Sequence, residues 1–334
     1  MERLLITLIL VCTMNNITNA QNPFYGQYHT PHETVPFDRI ETEHYEPAIL
    51  EGIKLQNAEI EAIIQNPEKA DFTNTIEAFE ESGELLDKVV AVFGNMLSAE
   101  TNDDLQELAQ KIMPLLSEHS NNITLNKKLF ARVKEVYNQK ETLQLTQEQK
   151  QLLENAYNSF IRHGSNLEGE AREEYRRLTT ELSKLTLTFS ENNLKETNAY
   201  QMLLTKKESL AGLPEIIIEA AAETAKNEEK EGWAFTLHAP SYIPFMTYSD
   251  NRDLRQKLYM AYNTKCTHDN EFNNIDIVKK IANTRMKIAQ LLGYKDYAEY
   301  TLKKRMAENS KSVYKLLNQL LEAYTPTAQQ EYKE

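Results

Sequence analysis

Ala171, Leu178 and Leu185 recur every seven residues, and Tyr175, Leu182 and Phe189 keep the same period four places on. A seven-residue repeat with two apolar positions draws one stripe along an α-helix. A strand cannot hold it, because strand side chains alternate faces every two residues. The stripe runs from about Leu167 to Asn193 with charged residues around the rest of the cylinder, so the middle of the chain is a single long helix. Two partners suit such a seam: a second copy in a coiled-coil dimer, or neighbouring helices of the same chain packed antiparallel. The seam lasts about three heptads, less than a sustained coiled coil uses, so packing within the chain is the expected outcome.

Helical spacing dominates elsewhere too, and only 9 Gly and 10 Pro interrupt 334 residues. Pro23, Pro31 and Pro36 keep residues 21–42 extended. Ile49, Ile53, Ile60, Ile63 and Ile64 then mark a helix that stops at Asn66-Pro67. A second is expected from near Thr73, with Ile76, Phe79, Leu86, Val89, Val90, Phe93 and Leu97 on one side. Thr101-Asn102-Asp103-Asp104 reads as the cap of a third, and two more are expected near 123–139 and 146–163. Residues 200–248 change rhythm. Tyr200 to Leu204 and Ala234 to Leu237 are strand-like, Gly212-Leu213-Pro214 opens a helix of about a dozen residues, and Ala239 to Pro244 reads as a loop. Ser249-Asp250-Asn251 caps the next helix, and helices near 274–292, 296–306 and 310–323 follow. Thr325-Pro326 reads as the start of another, which meets Glu334 with no C-cap, as if cut. The fold class is mainly α, a long-helix bundle with a small β element near 200–237.

Residues 1–20 read as a secretory signal. Met1-Glu2-Arg3 precedes the apolar run Leu4 to Val11, and Thr18-Asn19-Ala20 sets small residues before a cut at Gln21. The run is too short to span a bilayer, and no later segment is apolar enough to do so. Cys12 would be the modified residue of a lipoprotein, but Val11 is large for that cleavage. The expected mature protein is exported, periplasmic or secreted, and off the membrane. It keeps one cysteine, Cys266, so it has no internal disulfide. Lys265-Cys266-Thr267-His268 reads as a buried thiol rather than a nucleophile beside a base. With 50 acidic residues against 37 basic ones, the charge balance argues against nucleic acid and anionic lipid as partners, and neither is expected.

Several segments, in order, resemble one family. Pro36-Phe37-Asp38-Arg39-Ile40 with His44-Tyr45-Glu46-Pro47-Ala48, then Phe72-Thr73-Asn74-Thr75-Ile76-Glu77 with Gly83 and Leu86, are similar to its N-terminal motifs. Phe235-Thr236-Leu237, Pro240-Ser241-Tyr242, Asn251-Arg252 and Leu254-Arg255 resemble its middle. Ala289 to Tyr294, with Tyr297-Ala298 and Met306-Ala307, resemble a later stretch. Together they look like the thimet oligopeptidase family of zinc peptidases, closest to the bacterial peptidyl-dipeptidases, or dipeptidyl carboxypeptidases. The resemblance implies a largely helical ellipsoid of two domains split by a deep cleft, monomeric when complete, acting on oligopeptides. It divides the chain into a helical region over 21–199 and the start of the peptidase domain over 200–334, with the zinc helix expected after Glu334.

That family's zinc needs two histidines one helical turn apart with a glutamate beside the first. His32-Glu33-Thr34-Val35-Pro36 begins the pattern, but Pro36 stands where the second histidine belongs. His29 and His32 are separated by Pro31 and lack a third ligand, and His44, His119, His163 and His268 are scattered, with a cap or packing role the default for His44. No catalytic, cofactor-binding or metal-binding residue is therefore assigned, and zinc belongs to the complete enzyme alone. His238, after a strand, is a candidate for the substrate cleft. Tyr242, Tyr248, Tyr259 and Tyr262 cluster around the middle motif, where packing is the default reading, and Tyr242 and Tyr248 join His238 as cleft candidates. The expected function is that of the N-terminal part of a zinc oligopeptidase releasing dipeptides from peptide C-termini, inactive alone. The alternative is a non-catalytic periplasmic module, derived from such a peptidase, that binds peptides or a protein.

Overall fold

The computed structural model describes residues 22–334; the signal read over residues 1–20, with Cys12, lies outside the described residues. In chain order the first helices are α1 (Thr42–Gln65), α2 (Glu84–Ala99), α3 (Asp103–Thr124), α4 (Lys127–Asn138), α5 (Gln147–Arg162) and α6 (Gly169–Ala199). Strands β1 (Gln201–Leu204) and β2 (Trp233–Thr236) flank α7 (Glu215–Asn227). Then come α8 (Ala239–Tyr248), α9 (Arg252–Asn263), α10 (Ile275–Leu291), α11 (Tyr297–Leu302) and α12 (Ser310–Lys333). The described residues are mainly helical with one small sheet, as the helical composition and the strand-like runs near 200–237 predict. It forms two compact units, Met1–Ser183 with Met286–Glu334, and Lys184–Arg285. Where the sequence reading divides the chain once, at 199/200, these units divide at 183/184 and 285/286, inside α6 and α10.

In the first unit, local side chains set most helix starts. Glu41 N–H donates to His44 Nδ1 at 2.9 Å as half of a reciprocal cap on α1. Asn102 Oδ1 accepts from Leu105 N–H at 2.8 Å to open α3, and Thr146 with Gln149 caps α5 in the same reciprocal way. The segment expected to be one helix from Thr73 to Leu97 is instead broken. Phe72–Glu77 forms a π-helical turn, a short helical turn Ala78–Glu80 follows, and Ser82 Oγ donates to Phe79 O of that second turn at 2.7 Å. Gly83, at φ +86, turns the chain before α2, a conformation that a Cβ resists.

Ile60 and Ile63 of α1, Phe72 and Ile76 of the π-turn, Phe130 of α4 and Phe160 of α5 share one buried cluster. A second aromatic file joins Phe24, Tyr45 and Phe93, with successive ring centroids 5.3 and 5.1 Å apart. It pins the segment after Asn22 to α1 and α2. Tyr175 and Leu178, from the heptad seam of α6, are buried with Leu125 and Ile288. That part of the seam is satisfied within the chain.

Two proline readings are corrected. Helix α12 runs straight through Pro326, where the sequence reading starts a new helix. The helix side is exposed, so the carbonyl that loses its donor meets water, and Thr325 Oγ1 donates back to Leu321 O at 2.5 Å. In the second unit, Ala239 to Pro244 is the first part of α8, not a loop. Pro240 sits in the first turn, where its missing N–H has no helical acceptor anyway. Pro244 then orphans a single carbonyl. Strands β1 and β2 pair antiparallel, Gln201 opposite Thr236 and Leu204 opposite Trp233. Met202, Leu204, Phe235, Leu237, Phe245 and Leu258 form the buried cluster of this unit. Among the described residues no helix is long and apolar enough to cross a membrane.

Candidate functional site

The histidines do not assemble a metal site. Pro31–Glu33 is a single 3-10 turn in which His32 (φ 58) and Glu33 (φ 54) both adopt left-handed backbone, so the partial zinc pattern is not on a helix. His163 Nδ1 lies 2.8 Å from Ser159 O. His119 is buried in the first unit with Nε2 2.6 Å from Gln56 Oε1. Among the described residues no group of three or more His, Cys, Asp or Glu side chains could hold a metal ion. These residues do not fit the zinc that the family resemblance implies.

Chemistry-bearing side chains gather instead on α8 and α9 of the second unit. His238 is the N-cap of α8, exposed, and both ring nitrogens are engaged: Nδ1 lies 3.1 Å from Thr236 Oγ1 and Nε2 3.0 Å from Asn198 Oδ1. Such an imidazole holds strand to helix. Tyr242 stacks on Tyr262, centroids 4.1 Å apart and planes 18° from parallel, and Lys265 Nζ sits 4.5 Å from the Tyr262 centroid. Burial pushes the Tyr242 phenol above its ordinary value, a hydrogen bond with Asn263 opposes this, and the neighbouring Tyr262 and Tyr259 add to it. Tyr242 is therefore a neutral hydroxyl, able to donate to a carbonyl. Tyr248 ends α8 with its side chain about half exposed and shares none of these ring contacts. The structure thus stacks Tyr242 on Tyr262, and Tyr242 N–H donates to His238 O at 2.8 Å one turn back on α8, while Tyr248 shares no ring contact with the pair.

Beside this pair lies a pocket that the sequence reading missed. It has a volume of about 380 Å³ and is lined by Met246, Arg252, Arg255, Gln256, Tyr259 and Met260. Asn251 Oδ1 caps α9 by accepting from Leu254 N–H at 3.1 Å, which sets Arg252, Arg255, Gln256 and Tyr259 on neighbouring turns of one face. Arg255 Nη1 donates to Ser249 O and is fixed by it. A legible signal was present: two arginines occupy a first helical turn, where the helix dipole favours acids.

Cys266 is inert. It is buried at φ +58, and its N–H donates to Glu196 Oε2. Burial, reinforced by Glu196, pushes its thiol up to about 11, leaving almost no thiolate at neutral pH.

Comparison with known proteins shows what the chain is similar to. Residues 245–334 match the model of Peptidase family M3. The chain is 33% identical to the dipeptidyl carboxypeptidase of Escherichia coli over 313 residues, 93% of this chain and 46% of that protein. It is 34% identical to the Salmonella typhimurium dipeptidyl carboxypeptidase over 290 residues, 86% and 43% of the two chains. It is 32% identical to oligopeptidase A of Haemophilus influenzae over 303 residues, 90% and 44%. The chain therefore spans about half the length of the curated relatives it matches. The resemblance to the M3 peptidases, read first from separate motifs, holds along nearly the whole chain.

Proposed function

We propose that this chain is the N-terminal part of an exported, zinc-dependent oligopeptidase that releases dipeptides from peptide C-termini. The observation that carries the reading is the similarity to dipeptidyl carboxypeptidases and oligopeptidase A over about nine-tenths of the chain. In this reading the chain contributes walls to a substrate cleft, and the aromatic face of the second unit is where peptide is held. Tyr242 supplies a neutral hydroxyl donor for a peptide carbonyl, and the stacked Tyr242 and Tyr262 rings supply apolar surface. Hydrolysis is assigned to residues outside these 334, whose histidines supply no zinc ligand set, so residues 1–334 alone are inactive. The exposed apolar face of α12 supports the same reading, because a contiguous stripe of that size marks a surface meant to be covered. Cleavage after Ala20 delivers the enzyme to the periplasm.

The test is the mass and activity of the native protein, captured from the exported fraction of its source cell with an antibody to this chain. A species about twice the mass of this chain that releases dipeptides from an N-blocked tetrapeptide, and stops when zinc is chelated, is the expected result. A species at the mass of residues 21–334 that binds peptides without cutting them would replace this reading with the non-catalytic module.

A further inference from the structure

The pocket of Met246, Arg252, Arg255, Gln256, Tyr259 and Met260 lies within the second unit. Its lining carries two guanidinium groups, an amide and a phenol, and no carboxylate, in a chain with 13 more acidic than basic side chains. The first two positions on α9 that reach it are cations in a first turn, an arrangement the helix dipole disfavours. Arg252 has no ion pair or hydrogen bond among the described residues, although Asp250 and Asp253 are its near neighbours in sequence. Arg255 differs, since Ser249 O holds one of its nitrogens and thereby fixes the plane of the fork. The walls between these polar groups are two thioethers and an aromatic ring, which adapt to apolar groups of varied shape.

We infer that this pocket binds a carboxylate carried on an apolar or aromatic body, with Arg252 as the principal partner of the anion. Arg252 offers a planar fork matched to two carboxylate oxygens, Arg255 and Gln256 add donors, and Met246, Met260 and Tyr259 enclose the adjoining side chain. The free C-terminus of a peptide and a free aryl acid both have this chemistry. The inference deepens the proposed peptide-binding role of the aromatic face and rests on it for the peptide source only.

The experiment is calorimetric titration of residues 21–334 with three probes: benzoyl-glycyl-phenylalanine, its C-terminal amide, and 3-phenylpropanoate. The expected result is that the amide binds at least about tenfold more weakly than the acid, and that Arg252→Gln removes this preference while leaving the circular dichroism melt unchanged. Comparable affinity for 3-phenylpropanoate would identify a free acid as the natural source, and much weaker affinity a peptide C-terminus. Equal binding of acid and amide would overturn the pocket while leaving peptide binding standing. Absence of binding by all three up to millimolar concentration would overturn it as well. If Arg252→Gln unfolds the unit, Arg252→Lys serves instead, and its expected effect is a weaker but surviving preference for the acid. Conversely, acid-selective binding with no peptidase in the native preparation would sink the proposed function and keep the pocket.

Discussion

Arg132 Nη2 donates to Asn74 Oδ1 at 3.0 Å, while Nη1 of the same guanidinium reaches Asn66 O at 3.0 Å and Glu68 O at 3.3 Å. Asn74 Oδ1 also accepts from Asp71 N–H at 3.0 Å and Thr75 Oγ1 at 2.8 Å, and Asn74 Nδ2 donates to Lys69 O at 2.9 Å. One side chain of the Phe72–Glu77 motif thus ties the π-turn to the loop after α1 and to α4. Arg132→Lys keeps the charge but cannot reach three acceptors on two branches. It is expected to lower unfolding free energy by about 1–3 kcal/mol in urea titration, with Asn74→Ala costing a similar amount and the double variant less than the sum. Strict additivity would mean that the two side chains do not act together.

Gly52 faces α2 so closely that an added Cβ would lie 2.9 Å from Leu86 Cα and 3.0 Å from Leu86 N. Helix propensity alone predicts that Gly52→Ala stabilises α1 by about 1 kcal/mol. The obstructing atoms are backbone, so overpacking wins and the variant is expected to lose about 1–3 kcal/mol. Trimming Leu86 to Ala should not restore it, because Cα and N remain. A raised melting temperature for Gly52→Ala would reverse this account.

Burial holds the His119 imidazole below its ordinary value. With the folded pKa depressed, the unfolded chain takes up the proton first as pH falls. The stability due to neutral His119 is complete above about pH 6.5, the free imidazole value, and is lost as pH drops from there through the folded-state value. His119→Gln keeps a donor for Gln56 Oε1 and removes this titration. The drop in melting temperature between about pH 7.5 and 5.5 should therefore be smaller in the variant. An equal drop in both proteins would show that other groups set the acid sensitivity.

The helices and the small sheet were legible because their signals are local: Asn102 caps where a cap was read, Thr146 caps the helix expected near 146–163, and the strands near Leu204 and Phe235 pair with each other. The errors sit where one residue type has two uses. Pro240 was read as part of a loop and Pro326 as the start of a new helix, yet the first occupies a helix start and the second an exposed side, inside a helix, that tolerates a lost bond. Gly83 was read as a motif glycine inside a helix, and only the φ of +86 reveals the turn it makes. Sequence cannot show that the His238 ring nitrogens meet Thr236 and Asn198. Arg252 and Arg255 were legible as motif members but not as a pocket, since the opposing wall comes from Met246 on another helix.

Cys266 should resist thiol reagents in the folded chain. Its thiol is pushed up to about 11 by burial and by Glu196, so the thiolate is scarce near neutrality. Labelling by a disulfide reagent at pH 8 is expected to be at least about tenfold slower than in urea, where an exposed thiol titrates near 8.5. Glu196→Gln removes the carboxylate beside the sulfur and should speed the native reaction. Rapid native labelling of the unaltered chain would contradict the burial.

Helix α12 presents Tyr314, Leu316, Leu317, Leu320, Leu321 and Tyr324 at 39–66% exposure, and none of its residues is buried. On a helix these positions span a face wider than a surface helix normally leaves in water. Because nothing in the described residues covers Leu317 or Leu321, replacing both with Glu removes no buried contact. The double variant should change unfolding free energy by less than about 1 kcal/mol. It should also bind an anilinonaphthalene dye more weakly and stay monomeric at concentrations where the unaltered chain self-associates. A large loss of stability would instead mean that α12 packs its apolar face inside the chain in solution, and the stripe would then be core rather than a surface awaiting cover.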